Sequence, residues 1–524
     1  MSGKNDENKK SQIFNAQRIM IAAPKSGSGK TTLTCALLKL LQNLGKNPVS
    51  FKCGPDFIDP MFHERVLGIP ATNLDSFFST EEEIISIFAE NFASSNADFA
   101  VIEGVMGLFD GLGGTSIKAS SYDIARITKT PILLVIDAEG SSRSIVPIVK
   151  GFLDYDKANS GTAENLIKGI FLNKVSKGTF QLLKSLIEEE TTSEYGVKVL
   201  GYLPKDSNLI WESRHLGLFL PNEIQNLSTQ IQKTAEILNE TLEQEDFNDL
   251  ARISEGLSYS QGSLTASNET FKATTPAKGD HLSNKTSPQK NFQFSTFNFQ
   301  FTLAVAHDEA FCFYYHENLR LLEKAGAKIV YFSPLHDKSL PSGVDGLLIG
   351  GGYPELYASE LEANESMRKS IKSAVEASLP VMAECGGFMY LQEKIITQNG
   401  ESYEMCGAIK GQCRYTGKLV RFGYADFAFK GEAAVSEAEG EKSGLPDAFS
   451  IKGHEFHYFD STNNGSSFTA EKPLSKRSWD CMISSPTMLA GFPHLYYRSN
   501  PEILGWFLGA IKKRQESNLS INQK

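Results

Sequence analysis

A lysine followed by two threonines, Lys30-Thr31-Thr32, closes a run of small residues, Pro24-Lys25-Ser26-Gly27-Ser28-Gly29. Small residues at this spacing let backbone N–H groups curl around phosphate oxygens at the start of a following helix, where the helix dipole favours an anion. Lys30 then reaches the β and γ phosphates of a nucleotide and the Thr31 hydroxyl ligates Mg²⁺, so Gly27, Ser28, Gly29, Lys30, Thr31 and Thr32 are the expected contacts. Pro24 stands where the usual pattern has its first glycine. Lys25 leaves two readings open, a second lysine on the nucleotide or a solvated surface residue.

Carboxylates accompany this loop. Ala100-Val101-Ile102-Glu103 is a buried strand ending in an acid, and open α/β sheets bind ligands at the carboxyl ends of their strands. Glu103 is therefore a candidate for Mg²⁺ or its water shell. Asp110 in Gly107-Leu108-Phe109-Asp110-Gly111, and Asp56 and Asp59 in Lys52-Cys53-Gly54-Pro55-Asp56-Phe57-Ile58-Asp59-Pro60, add acids on Gly/Pro-shaped loops. Singly each reads as a turn or cap residue; as a set they point to positioning of a metal and a substrate. Asn173, ending another strand, has an amide able to donate to and accept from a purine edge.

A second centre lies in the other half of the chain. Cys385 follows the strand-like Val381-Met382-Ala383 and precedes Gly386-Gly387, the pattern of an elbow that presents a nucleophile at a helix N-terminus. Leu347-Leu348-Ile349-Gly350-Gly351-Gly352 ends another strand, and the N–H groups of Gly351 and Gly352 are candidates for an oxyanion hole. His454, His457 and His494 lie downstream as candidate bases.

The elements that must position these residues follow from hydrophobic periodicity. Arg18 to Ala23 predicts a strand, and Leu33, Ala36, Leu37, Leu40, Leu41 and Leu44 recur at helical spacing. Strand-like runs at 99–102, 132–136 and 169–172 are separated by lengths that suit crossover helices, so a parallel sheet is expected. Runs at 301–306, 328–332, 346–349 and 379–383 predict a second α/β domain. Residues 1–15 read as a tail, 16–243 as the first domain, 244–299 as a polar linker, 300–515 as the second domain and 516–524 as a frayed end. Of the 524 residues 41% are hydrophobic and 22% charged, which excludes wholesale disorder. The net charge of −10 gives no footprint for nucleic acid. The 7 cysteines contain no Cys-x-x-Cys pair, which fits a reducing cytoplasm better than a disulfide scaffold. The longest apolar runs are strand-sized, so no signal peptide or membrane span is expected.

The motifs AAPKSGSGKTT, FKCGPDFIDPMFHE, VIEGVMGLFDG, SRHLGL, IGGGYPE, AECGGFMYL and GHEFHY resemble those of the cobyrinic acid a,c-diamide synthase family, glutamine-dependent amidotransferases of cobalamin biosynthesis. The resemblance covers about 16–240 and 300–515, and the stretch from about 459 to 489 departs from the family pattern. It implies a nucleotide-binding synthetase domain similar to dethiobiotin synthetase, joined to a class I glutamine amidotransferase domain. Carried over by position, it makes Cys385 the glutaminase nucleophile and His494 the residue that activates it, with His454 and His457 in support. An acid often follows that histidine by two residues in class I domains; here the position holds Tyr496. The resemblance gives Asp56, Phe57, Ile58 and Asp59 to the corrinoid carboxylates, Glu103 and Asp110 to the Mg²⁺ and acyl-phosphate region, and Asn173 to adenine. His215 is left between packing and support of the nucleotide.

The implied chemistry uses ATP and Mg²⁺, with a corrinoid polycarboxylate and glutamine as the other substrates, no nucleic acid and no membrane, and a homodimer left open. Ammonia must arrive as NH₃, since NH₄⁺ has no lone pair, which calls for a passage closed to water. The same chemistry on hydrogenobyrinic acid or nickel sirohydrochlorin is the near alternative. A partitioning-type ATPase switch, suggested by Lys25 alone, is the alternative of a different class.

Overall fold

The computed structural model describes residues 11–161, 164–206, 221–252, 256–260, 299–431 and 443–522. The chain divides into two compact units, with the boundary after Gln261.

The first unit runs β1 (Ser11–Phe14), β2 (Gln17–Ala22), α1 (Lys30–Asn43), β3 (Pro48–Cys53), α2 (Ile58–Leu67), β4 (Ala71–Leu74), α3 (Glu81–Ser94) and β5 (Phe99–Glu103). It continues with α4 (Ser121–Ile127), β6 (Ile132–Asp137), α5 (Ile145–Asn159), β7 (Ile167–Asn173), α6 (Lys177–Tyr195), β8 (Lys198–Leu203), α7 (Pro221–Thr241), α8 (Gln244–Arg252) and β9 (Leu257–Ser260). Seven strands form a parallel sheet in the order β4-β3-β5-β2-β6-β7-β8. Each central strand is buried on both faces, which is why β5 and β6 read as continuous apolar runs. The phosphate loop leaves the carboxyl end of β2, which lies between β5 and β6 in the middle of the sheet.

The structure draws the boundaries of this unit differently from the composition. Ser11–Phe14, inside the expected tail, pairs antiparallel with Leu257–Ser260, inside the expected linker. Helix α8 also falls in that linker. Its Phe247, Leu250 and Ala251 are buried at helical spacing, and the Phe247 ring stacks on Phe99 at 6.1 Å. The acids and amides between them mask that stripe when composition alone is read. The polar run 261–298 and His215 with its SRHLGL motif lie outside the described residues.

The second unit runs β10 (Phe301–Ala306), β11 (Phe311–Phe313), α9 (His316–Lys324), β12 (Ala327–Phe332), β13 (Gly346–Ile349), β14 (Gly351–Gly352), α10 (Ala358–Ala363), α11 (Glu365–Glu376), β15 (Val381–Glu384) and α12 (Gly386–Leu391). Next come β16 (Lys394–Ile396), β17 (Ser402–Glu404), β18 (Gln412–Tyr415), β19 (Arg421–Phe429), β20 (Ser450–His457), β21 (Phe459–Ser461), β22 (Phe468–Glu471) and β23 (Ser478–Cys481). β24 (Ile483–Ser484), β25 (Met488–Gly491), β26 (His494–Leu495) and α13 (Glu502–Asn522) close it. A six-stranded sheet in the order β12-β10-β13-β15-β25-β24 is parallel except for β24, and a five-stranded antiparallel sheet has the order β23-β22-β19-β20-β26. Helix α13 extends to Asn522, past the expected frayed end at 516.

Candidate functional site

The phosphate loop takes the shape its residues foreshadow. Gly27 and Gly29 adopt φ of 78° and 99°, and Gly29 caps α1, so the loop turns back on itself before the helix begins. Lys30 Nζ donates to the carbonyls of Met106 at 2.6 Å and Lys25 at 3.4 Å, partners that a phosphate oxygen can replace. Burial, aided by neighbouring Lys52, lowers its pKa to about 8. Thr31 Oγ1 donates to Glu103 Oε1 at 2.6 Å, joining the two expected metal ligands, while Thr32 is half-buried in the first turn.

Behind that pair sits a cluster with shared charge. Lys52 is buried at the end of β3 and forms ion pairs with Asp59, with Glu103 at 3.1 Å and with Asp56 at 3.7 Å. His63 is fully buried on α2. Its Nδ1 lies 2.8 Å from Ser50 Oγ and its Nε2 3.3 Å from Glu103 Oε2. Burial alone would neutralise Glu103, yet Lys52, His63 and Thr31 together hold its carboxyl below the usual range. Three acids around one ammonium cannot all ionise, and Asp59 is pushed up by burial and by the Glu103 charge.

The other expected residues are placed less uniformly. Asp56 Oδ1 accepts from Ile58 N at 2.8 Å, an Asx turn that starts α2, with Phe57 buried as its cap. Asp110 is exposed and accepts from Gly107 N at 2.9 Å, so it shapes its own turn. Asn173 Nδ2 donates to the Ser28 carbonyl at 2.9 Å and its Oδ1 accepts from Lys174 N. To reach a purine edge it would have to release the loop. A side chain on Gly29 would put a Cβ 2.1 Å from Asn173 Nδ2, which explains the glycine.

In the second unit Cys385 has φ 49° and ψ −106°, a strained elbow between β15 and α12. The turn closes only because its glycines lack side chains. A Cβ on Gly387 would lie 2.1 Å from the Ile349 carbonyl, and one on Gly386 3.1 Å from Gly352 N. Cys385 N donates to Gly491 O at 2.8 Å, tying the elbow to the end of β25. His494 follows three residues later, and a Cβ on Gly351 would lie 2.4 Å from its Cε1. The structure thus brings together Cys385, His494, Gly351 and Gly352.

Electrostatically this centre is dry. Burial raises the Cys385 thiol, with Glu355 adding to the effect. Burial, then neighbouring His454 and His457, lowers His494, leaving a neutral imidazole stacked 5.0 Å from His454. A neutral imidazole beside a protonated thiol is the resting pair of general-base catalysis. Glu384, directly before the nucleophile, has its Oε2 4.0 Å from His494 Nδ1 and its Oε1 3.2 Å from the Tyr497 hydroxyl. Burial pushes Glu384 up to about 8. Sequence reasoning looked for an acid after the histidine and missed Glu384, though it lies inside AECGG; Lys52 and His63 were likewise missed inside FKCGPDFIDPMFHE.

Among the described residues, no group of three or more His, Cys, Asp or Glu side chains is arranged to hold a metal ion alone. Among them too, no helix is long and apolar enough to cross a membrane.

Comparison with known proteins agrees with both halves. Residues 19–218 match a family model for the CobQ/CobB/MinD/ParA nucleotide binding domain, and residues 302–501 one for the CobB/CobQ-like glutamine amidotransferase domain. A cobyrinate a,c-diamide synthase of Listeria innocua is 36% identical over 95% of this chain and 100% of its own length. Those of Caldanaerobacter subterraneus and Clostridium acetobutylicum are 36% and 37% identical over 91% and 93% of the chain, and 94% and 98% of their own lengths. With likeness of this extent across both units, the chain belongs to the cobyrinate a,c-diamide synthase family.

Proposed function

We propose that this chain amidates the a and c side-chain carboxylates of cobyrinic acid, with ATP activating each carboxylate and glutamine supplying nitrogen. The observation that carries the reading is the presence, in one chain, of a phosphate loop whose Thr31 meets Glu103 and a strained Cys385 elbow packed with His494 and the Gly351-Gly352 strand.

A carboxylate is a poor electrophile, so the reaction begins with its oxygen attacking the γ-phosphorus of ATP, giving an acyl phosphate and ADP. The residues present fit the nucleotide and Mg²⁺. Lys30 can exchange its carbonyl partners for β and γ phosphate oxygens. Thr31 and Glu103 offer two oxygens, a small protein share that suits a cation keeping phosphate and water ligands. When bound, Mg²⁺ neutralises charge on the transferring phosphoryl group. Asp56, Phe57, Ile58 and Asp59 line the start of α2 at the carboxyl end of β3, where a corrinoid carboxylate would approach.

In the second unit His494 takes the Cys385 proton, and the thiolate attacks the side-chain amide carbon of glutamine. The Gly351 and Gly352 N–H groups stabilise the resulting oxyanion. The tetrahedral adduct expels NH₃, protonated by the imidazolium, and water hydrolyses the thioester to glutamate. Glu384 holds the imidazole and offsets its transient positive charge. NH₃ then displaces phosphate from the acyl phosphate to give the amide.

The test is mass spectrometry of cobyrinic acid incubated with the protein, ATP and Mg²⁺, with metal-free hydrogenobyrinic acid in parallel. Cys385→Ala is expected to lower glutamine-dependent product by more than about 10³-fold, with ammonia restoring it. Full glutamine-dependent activity in that variant would overturn the glutaminase assignment. Lys30→Ala is expected to abolish product from either nitrogen source; surviving ammonia-dependent product would remove the phosphate loop from the mechanism. Conversion of the metal-free corrin alone would keep the chemistry and change the substrate.

A further inference from the structure

Strand β20 points Glu455 and His457 to the same side, because residues two apart in a strand share a face. Both are more than nine-tenths buried, at 3% and 6% exposure, and Glu455 Oε2 and His457 Nε2 have no hydrogen-bond partner. On the neighbouring strand Arg421 pairs in register with His457. Its guanidinium lies over the Trp479 ring, 4.9 Å from the centroid. Arg421 Nε and Trp479 Nε1 are also buried without a partner. All four residues line one small cleft, together with Asp460, Asn464 and Phe492. Buried polar atoms are satisfied in the great majority of cases, so four open ones converging on a single cleft mark a surface shaped for a polar occupant.

The four atoms sort by chemistry. His457 Nδ1 lies 2.6 Å from the Phe459 carbonyl, which can only accept, so Nδ1 carries the proton and Nε2 of the neutral ring offers a lone pair. Glu455 and His457 therefore present acceptors, with a negative charge. Arg421 and Trp479 present N–H donors, with a positive charge. An occupant carrying an ammonium and a carboxylate on adjacent atoms matches both sets, and an α-amino acid is that molecule. The cleft also adjoins the cysteine elbow. The His457 ring stacks on Phe492 at 4.0 Å, Phe492 follows Gly491, and the Gly491 carbonyl accepts from Cys385 N. The Phe492 ring in turn meets Phe388, on the helix that Cys385 opens, at 5.2 Å.

We propose that this cleft holds the head group of glutamine, with Glu455 and His457 taking the α-ammonium and Arg421 and Trp479 the α-carboxylate, so that the side-chain amide extends toward Cys385. The inference rests on the reading of Cys385 as a glutaminase nucleophile and adds how the amide donor is chosen.

The experiment compares hydrolysis of three amides by the full chain: L-glutamine, 4-carbamoylbutanoate, which lacks the α-amino group, and 4-aminobutanamide, which lacks the α-carboxylate. The unaltered protein is expected to favour glutamine over either analogue by roughly 100-fold in kcat/KM, because each analogue leaves buried polar groups unpaired. Glu455→Gln is expected to lose the preference over 4-carbamoylbutanoate while still rejecting 4-aminobutanamide. Arg421→Met is expected to do the reverse. Trp479→Phe keeps the ring and removes one donor, giving a milder form of the Arg421 result should Arg421→Met fold poorly. Equal losses on all three amides in these variants would overturn the proposal. In Cys385→Ala, calorimetry should detect L-glutamine binding that weakens at least tenfold when Glu455→Gln or Arg421→Met is added. Such binding alongside an unaltered protein that hydrolyses no glutamine would sink the glutaminase reading and leave the cleft standing. Hydrolysis by the unaltered protein with binding indifferent to both substitutions would sink the cleft and leave the glutaminase.

Discussion

Around Lys52 in the first unit, buried groups keep their charges by pairing, with Glu103 held ionised between an ammonium, a hydroxyl and an imidazole. Around Cys385 in the second unit, burial goes unopposed and drives the thiol, His494, Glu384 and Glu355 toward their neutral forms. The difference follows from what each site must do. Holding a polyphosphate and its cation needs permanent charge in fixed places. A thiol that attacks an amide needs charge only for the moment of attack, and a dry neutral pocket makes each new charge act strongly on its neighbours. Burial is thus common to both sites; the presence or absence of counter-charge separates them.

The largest effect expected from breaking this contrast is on stability. Lys52→Met leaves Asp59 and Glu103 buried without their cation, and removing one partner of such a set costs about 3–5 kcal/mol. Urea denaturation should show the loss, and a change under about 1 kcal/mol would mean that the cluster tolerates bare carboxylates.

A middle-sized effect is expected at Glu384. Its folded pKa of about 8 stands above the ordinary value, so the folded state binds a proton that the unfolded chain releases earlier. The stabilising contribution is complete below about pH 4.5 and is lost as pH rises through 8. Glu384→Gln removes that titration. Its melting temperature should therefore gain on the parent as pH rises from about 5 to 9, while kcat for glutamine hydrolysis falls roughly 10- to 100-fold. A pH-independent difference in melting temperature would place the carboxyl outside this balance.

The smallest effect is expected at Asn173. Asn173→Ala frees the phosphate loop from β7, and the nucleotide Kd should rise about tenfold, the worth of one to two hydrogen bonds. A Kd that rises for ATP but not for GTP would instead restore the amide to the adenine edge.

Much of this arrangement was legible before the fold was known, and the exceptions share a cause. The loop glycines, the Lys30-Thr31 pair and the Cys385-Gly386-Gly387 elbow are local, because backbone shape and chemistry are written within a few residues. The same holds for the central strands, whose apolar runs record burial on both faces. Glu384 could not be seen in the role described, because its neighbour His494 comes from a different strand. His63 meets Glu103 only through packing of α2 beside β5, and the cleft at Glu455 collects residues from β19, β20 and β23. Helix α8 was lost for another reason, since a three-residue apolar stripe among acids and amides resembles linker composition.

The pairing of Ser11–Phe14 with Leu257–Ser260 has a temporal side. Phe14 packs edge-on against Phe92 at 5.2 Å, so this early segment belongs to the packed interior of its unit, yet its partner strand is translated some 250 residues later. During synthesis the first unit stays unfinished at its beginning until nearly all of it has emerged from the ribosome. Removing the first 15 residues would therefore leave β9 without its partner strand, and nascent chains halted before residue 257 should be cut by protease at the N-terminal end that longer ones protect.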